Sequence, residues 1–304
     1  MPRNLEHVSC NLCGTDDSEL AYHKHGLDIR RCRHCSLVYV NPRLTAEQVW
    51  QRYTRDYFWN EYLPSHGAPG GQVNLNLHRR RYSALLLRLE PYRQTSSGRL
   101  LDVGCGAGFW LNVAIEAGWD GLGIDLSPDA IAFARDRLGL NVIAGRMQDR
   151  ELPESTFDVI TLLETIEHLF DPMAVLRQAH RVLRPGGLIA ITTPNLNSLA
   201  FKFLGQDWSI LSPTEHLYYF TERTIRQMLI HAGFDRVWIE RTSLVFDETA
   251  EIRSTDTHRR DTWRARLSDW LARKMGRILR KPIVQVGWGN TIYAFGEKGA
   301  GPDV

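Results

Sequence analysis

Hydrophobic and polar positions follow two alternating patterns from residue 99 onward. Short runs rich in branched residues predict strands, and the longer stretches between them, with apolar residues every three or four positions, predict helices. The predicted strands lie at 100–103, 121–124, 141–144, 157–162, 188–192, 237–240 and 291–295. Alternation of this kind is typical of α/β proteins. We therefore expect a Rossmann-like, seven-stranded, mostly parallel sheet with helices on both faces.

Helix ends are marked by capping residues. Ser127 followed by Pro128 predicts one helix start, and Thr221 predicts the start of a helix that ends at Gly233. The run Pro185-Gly186-Gly187 predicts a helix stop before the strand at 188–192. These signals place the loops at the strand ends.

Four of the five cysteines form two Cys-x-x-Cys pairs near the N-terminus: Cys10, Cys13, Cys32 and Cys35. The eighteen residues between the pairs match the spacing of a paired zinc site. Gly14 supplies the permissive backbone that the first turn needs. Four thiolates fill the shell of a tetrahedral ion, so we expect a small zinc-ribbon-like module with structural Zn²⁺.

Composition excludes some classes of protein. Hydrophobic residues make up 43% of the 304 positions and charged residues 24%, which does not fit a disordered chain. The longest apolar runs are too short to span a bilayer, and the first ten residues lack the apolar core of a signal peptide. We therefore expect a cytoplasmic protein. The net charge of +2 is too small to indicate a nucleic-acid partner.

A glycine-rich turn follows the first predicted strand of the sheet. It begins at Asp102 and carries the glycines Gly104, Gly106 and Gly108, and the next strand ends at Asp125. Glycines at such a turn let the backbone approach a ligand, and an acid at the second strand end accepts hydrogen bonds from ribose hydroxyls. Phe109 stands where a dinucleotide fingerprint has its third glycine. The pattern indicates a nucleoside-containing ligand of another kind.

Several segments between 99 and 240 resemble successive motifs of class I S-adenosylmethionine (SAM) dependent methyltransferases. They are LLDVGCGAGFW, GIDLSPDAIAFAR, FDVITLLETIEHL, VLRPGGLIAITTPN and EHLYYFTERTIRQMLIHAGF. The Cys-x-x-Cys pairs followed by SLVYVNPR resemble the zinc-binding leader of many bacterial methyltransferases that act on sugars, lipids and secondary metabolites.

The resemblance implies roles for residues at the nucleoside site. The glycine loop would face the methionine part of SAM, Asp102 its amino group, Asp125 its ribose and Leu126 its adenine. The family commonly has an acid after the glycine that follows the third strand, but Arg146 stands there. The adenine contact would then pass to the backbone around Met147, or to Asp149. Glu164 is assigned to the cofactor site as well.

The resemblance also implies a division into three parts. Residues 1–45 would form the zinc-binding module, 46–98 a helical linker or cap, and 99–304 the methyltransferase domain. A basic helical insertion is predicted at about 251–283, where the net charge is +6 against about −4 for the remainder. Its helix at 262–280 has two interpretations: peripheral contact with a membrane surface, or an apolar packing stripe beneath a solvated basic face.

Histidines beside the fourth and fifth strands suit catalysis. His168 and His216 are expected at the carboxyl edge of the sheet, where they would remove a proton from the acceptor. Glu164, Glu167 and His168 would share one face of a helical turn. With His216 they would hold Mg²⁺ or another divalent ion.

The E-x-x-E-H pattern resembles metal-dependent 2′-O-methyltransferases of small RNAs and O-methyltransferases of ubiquinone biosynthesis. The alternative is a hydrogen-bond network that lines the pocket.

Aromatic residues outside these motifs have two interpretations each. In the cap, contact with SAM and core packing are both open for Tyr57, Phe58 and Tyr62. After the fifth strand, the side chains of Glu215, Tyr218 and Tyr219 could form a wall of the acceptor site, and loop packing is the alternative for the two tyrosines.

Three functions are consistent with these residues. The first is methyl transfer to oxygen or carbon of a small-molecule, sugar or lipid-linked acceptor. The second is an RNA methyltransferase whose zinc module grips nucleic acid, which the near-neutral charge disfavours. The third is a non-catalytic zinc- and SAM-binding interaction protein.

Overall fold

The computed structural model describes residues 4–52, 54–94, 96–240 and 290–300. The predicted basic insertion at about 251–283, with its helix at 262–280, lies outside these residues. Within them, no helix is both long and apolar enough to cross a bilayer.

The main sheet has seven strands. Its strands are β6 (Arg99–Val103), β7 (Asp120–Asp125), β8 (Val142–Ala144), β9 (Phe157–Leu163), β10 (Leu183–Pro194), β12 (Arg236–Glu240) and β13 (Thr291–Glu297). They lie in the order β12-β13-β10-β9-β6-β7-β8. Strands β6 to β10 pair in parallel, and β13 runs antiparallel to both of its neighbours. The predicted Rossmann-like, mostly parallel sheet is confirmed.

Helices pack on both faces of this sheet. The nine helices of the described residues are α1 (Ala46–Trp50), α2 (Arg55–Tyr57), α3 (Leu63–Ser65), α4 (Leu75–Leu89), α5 (Phe109–Glu116), α6 (Pro128–Leu138), α7 (Pro172–Val182), α8 (Leu199–Leu204) and α9 (Glu222–His231). Buried residues of α4, α5 and α6 form one core cluster, and those of α7 and α9 form another. Each apolar helix face therefore removes its own side of the sheet from water.

The structure confirms the two predicted helix starts but not the predicted stop at 185–187. Ser127 caps α6 by accepting a bond from the Ala130 N–H (3.3 Å), and Thr221 caps α9. The predicted stop at 185–187 is displaced, because α7 already ends at Val182. Residues 184–187 form an irregular start of β10, where the Gly186 N–H donates to the Lys298 carbonyl (2.8 Å). Strand pairing therefore begins before the glycines.

The N-terminal segment forms a second sheet. Its strands are β2 (Ser18–Lys24), β3 (Leu27–Cys32) and β4 (Val38–Val40), joined by β11 (Tyr218–Tyr219) in the order β11-β4-β3-β2. A separate pair consists of β1 (Leu5–Glu6) and β5 (Arg43–Leu44). Strand β11 comes from the distant half of the chain, so the small sheet is completed by residues beyond the predicted module. The boundaries at 45 and 98 stay a prediction.

The segment between the two sheets is helical but interrupted. Its first part consists of the short helices α1, α2 and α3, with a π-helical turn at Phe58–Tyr62 between α2 and α3. Only α4 is a long helix, and its buried residues recur at 78, 82, 85 and 89. This face packs in one core cluster with α5 and the sheet, and Tyr62 of the same segment contacts the loop that follows β6.

Candidate active site

The side chain of Tyr62 packs against the glycine loop between β6 and α5. Gly104, Gly106 and Gly108 all have positive φ angles, of 76°, 52° and 77°. A side chain at Gly106 would also collide with the Tyr62 hydroxyl, which accepts a hydrogen bond from the Ala107 N–H (3.2 Å). Glycine is therefore required both by the backbone and by the close approach of the cap.

Asp125 ties the second strand end to the glycine loop. One carboxylate oxygen accepts the Gly106 N–H and the other accepts the Ser127 N–H, both at 2.8 Å. Burial raises the pKa of Asp125, and these backbone bonds oppose that shift. Leu126, 38% exposed, follows directly. The arrangement presents an acid and an accessible apolar side chain at the same strand end.

Asp102 lies at the end of a buried hydrogen-bonded chain. Its carboxylate accepts the Thr161 hydroxyl (2.7 Å), which in turn accepts the Trp110 indole N–H (3.0 Å). Burial raises the pKa of Asp102 to about 7, and nearby Asp125 adds to the rise. A carboxylate in this position fits a cationic ligand group, because a positive charge would offset the cost of its burial.

A cleft opens beside these residues. Asp102, Gly104 and Glu164 line it together with Tyr62 and Arg81. Sequence reasoning missed Arg81. A usable signal existed, because Arg81 lies three residues after buried His78 and four before buried Leu85, on the buried face of α4.

The backbone at Glu164 corrects the predicted helical turn. Glu164 follows β9 with a positive φ of 51°, and its N–H donates to the Thr192 carbonyl (3.0 Å). Only Ile166–His168 forms a turn, of the 3-10 type. Glu164 therefore does not share a helix face with Glu167 and His168, because its backbone turns the other way. Its side chain lines the cleft beside Asp102.

Glu167, His168 and His216 come together at this edge. One possible ligand atom from each lies within 4.8 Å of the others. The Nδ1 atoms of His168 and His216 lie 2.9 and 2.8 Å from the carbonyls of Glu215 and Ile210. A carbonyl only accepts, so each Nδ1 carries the proton and each Nε2 keeps a lone pair.

The shifted pKa values of Glu167, His168 and His216 fit a site for a cation. Glu167 is 1% exposed and accepts the Thr193 hydroxyl (2.9 Å). Burial, and then the neighbouring Glu164, raises its pKa well above the usual range. Burial lowers the pKa of His168 and that of His216, the latter to about 3. Neutral imidazoles beside a buried carboxyl are the donor set of many metal sites.

The four N-terminal sulfurs also form one cluster. Their Sγ atoms lie within 4.8 Å of one another, with Cys10 and Cys35 at 3.4 Å and Cys13 and Cys32 at 3.5 Å. Zinc–sulfur bonds of about 2.3 Å in a tetrahedron put sulfurs about 3.8 Å apart. The proximity of Cys35 lowers the pKa of Cys10 to about 5, and burial raises that of Cys13 to about 11. The cluster therefore fits a zinc ion, which stabilises all four thiolates together.

The two cysteine turns have the same backbone. The Gly14 N–H donates to the Cys10 carbonyl (2.7 Å), and the Ser36 N–H donates to the Cys32 carbonyl (3.0 Å). Gly14 and Ser36 have φ angles of 76° and 69°. Sequence reasoning identified Gly14 but missed Ser36, because serine carries no signal for this conformation.

The remaining predicted residues fall at several places. Met147 is 2% exposed, and its carbonyl accepts the Gln178 side-chain N–H (2.9 Å). Asp149 forms a surface ion pair with Arg146 (2.7 Å). Packing accounts for three of the aromatic residues, since the side chains of Phe58, Tyr218 and Tyr219 are buried in core clusters.

The family model described as a methyltransferase domain matches residues 75–238, more than half of the chain. The chain belongs to the methyltransferase domain family. This membership confirms the resemblance to class I SAM-dependent methyltransferases. The four close cysteines fit the zinc-binding leader that the resemblance implied.

Curated relatives and solved structures agree with this membership. A ubiquinone biosynthesis O-methyltransferase of Cereibacter sphaeroides is 32% identical over 49% of this chain and 64% of its own length. One of Pseudomonas aeruginosa is 36% identical over 34% and 48%. The chain thus spans about half to two thirds of the length of these relatives.

Among solved structures, a chain from the complex of the Haloferax volcanii Trm112 methyltransferase activator with a methyltransferase matches with a TM-score of 0.57. It is 17% identical, over 82% of this chain and 99% of that chain. At this identity the match shows the fold alone.

Proposed function

We propose that the protein transfers the methyl group of SAM to an oxygen atom of a small acceptor that carries neighbouring oxygens, such as a catechol or diol. The observation that carries this proposal is the buried Glu167–His168–His216 cluster, whose ligand atoms lie within 4.8 Å of one another. It lies at the same sheet edge as the cleft that contains Asp102. In this proposal the cofactor site and the oxygen-binding site therefore lie side by side at one edge of the sheet.

In this proposal the cofactor residues keep their expected roles. SAM supplies a methyl group on a positively charged sulfur. Asp102 binds its amino group, Asp125 its ribose and Leu126 its adenine. Arg81, which also lines the cleft, binds the carboxylate of the methionine part, because guanidinium groups match carboxylate geometry. The protein then mainly aligns the methyl group with the acceptor.

The residues on the acceptor side hold a divalent ion and orient the acceptor. Because Glu164 is not one of its three residues, the cluster offers two nitrogens and one oxygen, which favours Mn²⁺, Fe²⁺ or Zn²⁺ over Mg²⁺. Such an ion lowers the pKa of a hydroxyl that it contacts. A direct role of His216 as base is less favourable, since a pKa of about 3 makes it a weak base at neutral pH.

The curated relatives support the choice of acceptor. They are named O-methyltransferases of ubiquinone biosynthesis, which favours oxygen over carbon as the methylated atom.

The first test is calorimetric titration with SAM and S-adenosylhomocysteine. Asp125→Ala removes charged hydrogen bonds to the ribose and frees the glycine loop, so affinity should fall roughly 100-fold. Asp136→Ala, an exposed acid on α6 paired with Arg135, is the matched control and should bind normally. If the wild type binds neither ligand, the non-catalytic interaction protein becomes the better proposal.

The second test is an acceptor screen. Catechols should be methylated in the presence of Mn²⁺, and a chelator should abolish the product. Methylation of a catechol that persists in chelator would overturn the metal role but leave the methyltransferase assignment intact.

A further inference from the structure

Arg43 occupies the joint between the N-terminal sheet and the acceptor side of the active site. Its side chain is only 9% exposed. The Nη1 group donates to the Phe170 carbonyl at 2.9 Å and to the Tyr218 hydroxyl at 3.3 Å. The guanidinium also lies over the Phe170 ring, 4.7 Å from its centre, and Nε donates to Glu6 at 2.8 Å.

These contacts fall beside both histidines. Phe170 lies two residues after His168, and Tyr218 lies two residues after His216. The Tyr218 hydroxyl donates to the Phe170 carbonyl as well (3.3 Å), so the two loops and Arg43 form one closed set of bonds. A single buried side chain thus contacts both loops that carry the imidazole rings.

A backbone chain runs parallel to these side-chain contacts. The Val40 N–H of β4 donates to the Leu217 carbonyl (2.9 Å), and the Leu217 N–H donates to the Glu167 carbonyl (2.8 Å). Strand β4 also pairs with β11, with Tyr39 opposite Tyr218. The edge of the N-terminal sheet is therefore connected to the turn that carries Glu167 and His168.

The cofactor side is supported differently. The carboxylate of Asp102 is bonded to Thr161, and that of Asp125 to the N–H groups of Gly106 and Ser127. All of these partners belong to the main sheet and its loops. A change at Arg43 should consequently reach the acceptor side and spare the cofactor side.

We propose that Arg43 is a positioning residue that sets the separation of His168 and His216. A guanidinium held by a carboxylate, a carbonyl, a hydroxyl and a ring is a rigid joint, because its planar fork fixes the direction of each bond. The N-terminal sheet thereby forms part of the acceptor-side wall. This inference rests on the proposed function only in taking the two histidines to face the acceptor.

Amide hydrogen exchange on the full-length chain tests the inference. In Arg43→Gln, amides in 165–170 and 215–219 should exchange at least about tenfold faster, and those in 102–108 and 123–127 should stay within twofold of wild type. Arg93→Gln is the matched control. Its guanidinium also lies 4.7 Å from a ring, that of Trp119, and donates to the Ala117 carbonyl (3.0 Å). It should leave 165–170 and 215–219 unchanged.

Arg43→Lys, which keeps the charge but loses the fork, should give an intermediate exchange rate and serves if Arg43→Gln does not fold. Equal acceleration at the cofactor and acceptor segments would mean a general loss of stability and would overturn the inference. Unchanged exchange at 165–170 and 215–219 in both variants would overturn it too.

A Co²⁺ titration gives an independent readout. Arg43→Gln should bind Co²⁺ at the histidine cluster at least about tenfold more weakly, with an unchanged affinity for S-adenosylhomocysteine. If Co²⁺ binds the variant as tightly as the wild type, the joint does not set the imidazole geometry. If the wild type itself binds no Co²⁺ there, the proposed metal role fails, and the exchange result alone decides on Arg43.

Discussion

The cofactor half and the acceptor half of the active site are built in different ways. The centre of the cofactor half lies within residues 102–127, where two strand ends and one glycine loop hold each other by short-range bonds, and Tyr62, Arg81 and Glu164 complete it. The acceptor half is assembled from distant segments, since β4 pairs with β11 and Arg43 binds both histidine loops. A local site survives changes elsewhere, whereas an assembled site depends on every segment that supports it.

The two halves also differ in charge. Asp102 is a buried acid and Asp125 a half-buried one, and both have raised pKa values, suited to an ammonium group and a ribose. The acceptor half has one buried acid and two imidazoles whose pKa values are lowered. Both halves contain acidic side chains, but only the acceptor half has the imidazole nitrogens that transition metals prefer.

Removing a zinc ligand should give the largest difference in effect between the two halves. Structural zinc sites contribute about 10–16 kcal/mol of apparent binding free energy, so Cys10→Ser should lose the metal and unfold the N-terminal sheet. We expect metal analysis to show about one zinc per chain fewer in the variant than in the wild type. Binding of S-adenosylhomocysteine should persist, because its proposed contacts lie at the strand ends of the main sheet and on α4, outside the N-terminal sheet.

Cys105→Ala is the control for this variant. Cys105 is buried in the glycine loop, outside the sulfur cluster, so the zinc should stay. If S-adenosylhomocysteine binding disappears together with the zinc in Cys10→Ser, the two halves are one cooperative unit and the contrast between them is lost.

The pH dependence of cofactor binding should come from Asp102. Its pKa of about 7 means that the ratio of the protonated to the ionised form rises tenfold for each pH unit below 7, and the protonated form cannot pair with the ammonium group. The affinity for S-adenosylhomocysteine should therefore rise roughly tenfold per unit from pH 5 to pH 7, about 1.4 kcal/mol per unit, and then level. Calorimetry across this range measures it.

Asp102→Asn should bind weakly at every pH, with no such slope. A flat wild-type profile between pH 5 and pH 7 would show that protonation of Asp102 does not limit cofactor binding.

A pair of glutamates gives the smallest and most specific contrast. Glu167→Gln should weaken divalent metal binding by about tenfold or more, because a carboxylate leaves the cluster. Glu164→Gln should leave metal affinity unchanged and weaken cofactor binding, because Glu164 lines the cleft. Titrations with Mn²⁺ and with S-adenosylhomocysteine separate the two effects. Equal losses of metal affinity in both variants would place Glu164 among the ligands after all.

The main sheet and the cofactor loop could be predicted from the sequence because their signals are local. A strand followed by glycines, and a serine before a proline, each act within a few residues, as at Gly104 and Ser127. The acceptor half has no such signal. The pairing of β4 with β11 joins residues far apart in the chain, and the two-residue strand Tyr218–Tyr219 carries no periodic pattern.

The error at Glu164 has a similar origin. Its spacing to Glu167 and His168 fits a helix face, but the bond from its N–H to Thr192 on a neighbouring strand turns the backbone the other way. Arg43 shows the same limit. Its importance lies in contacts with Phe170 and Tyr218, which no pattern around residue 43 indicates.

The pairing of β4 with β11 also sets an order of events during synthesis. Residue 39 leaves the ribosome long before residue 218, its partner in the small sheet. At translation rates of about 5–20 residues per second, the edge of β4 waits roughly 9–36 s for its neighbour. An open strand edge invites pairing with other chains during that interval. The nascent protein is therefore vulnerable to aggregation at this edge of the N-terminal sheet until β11 emerges to close it.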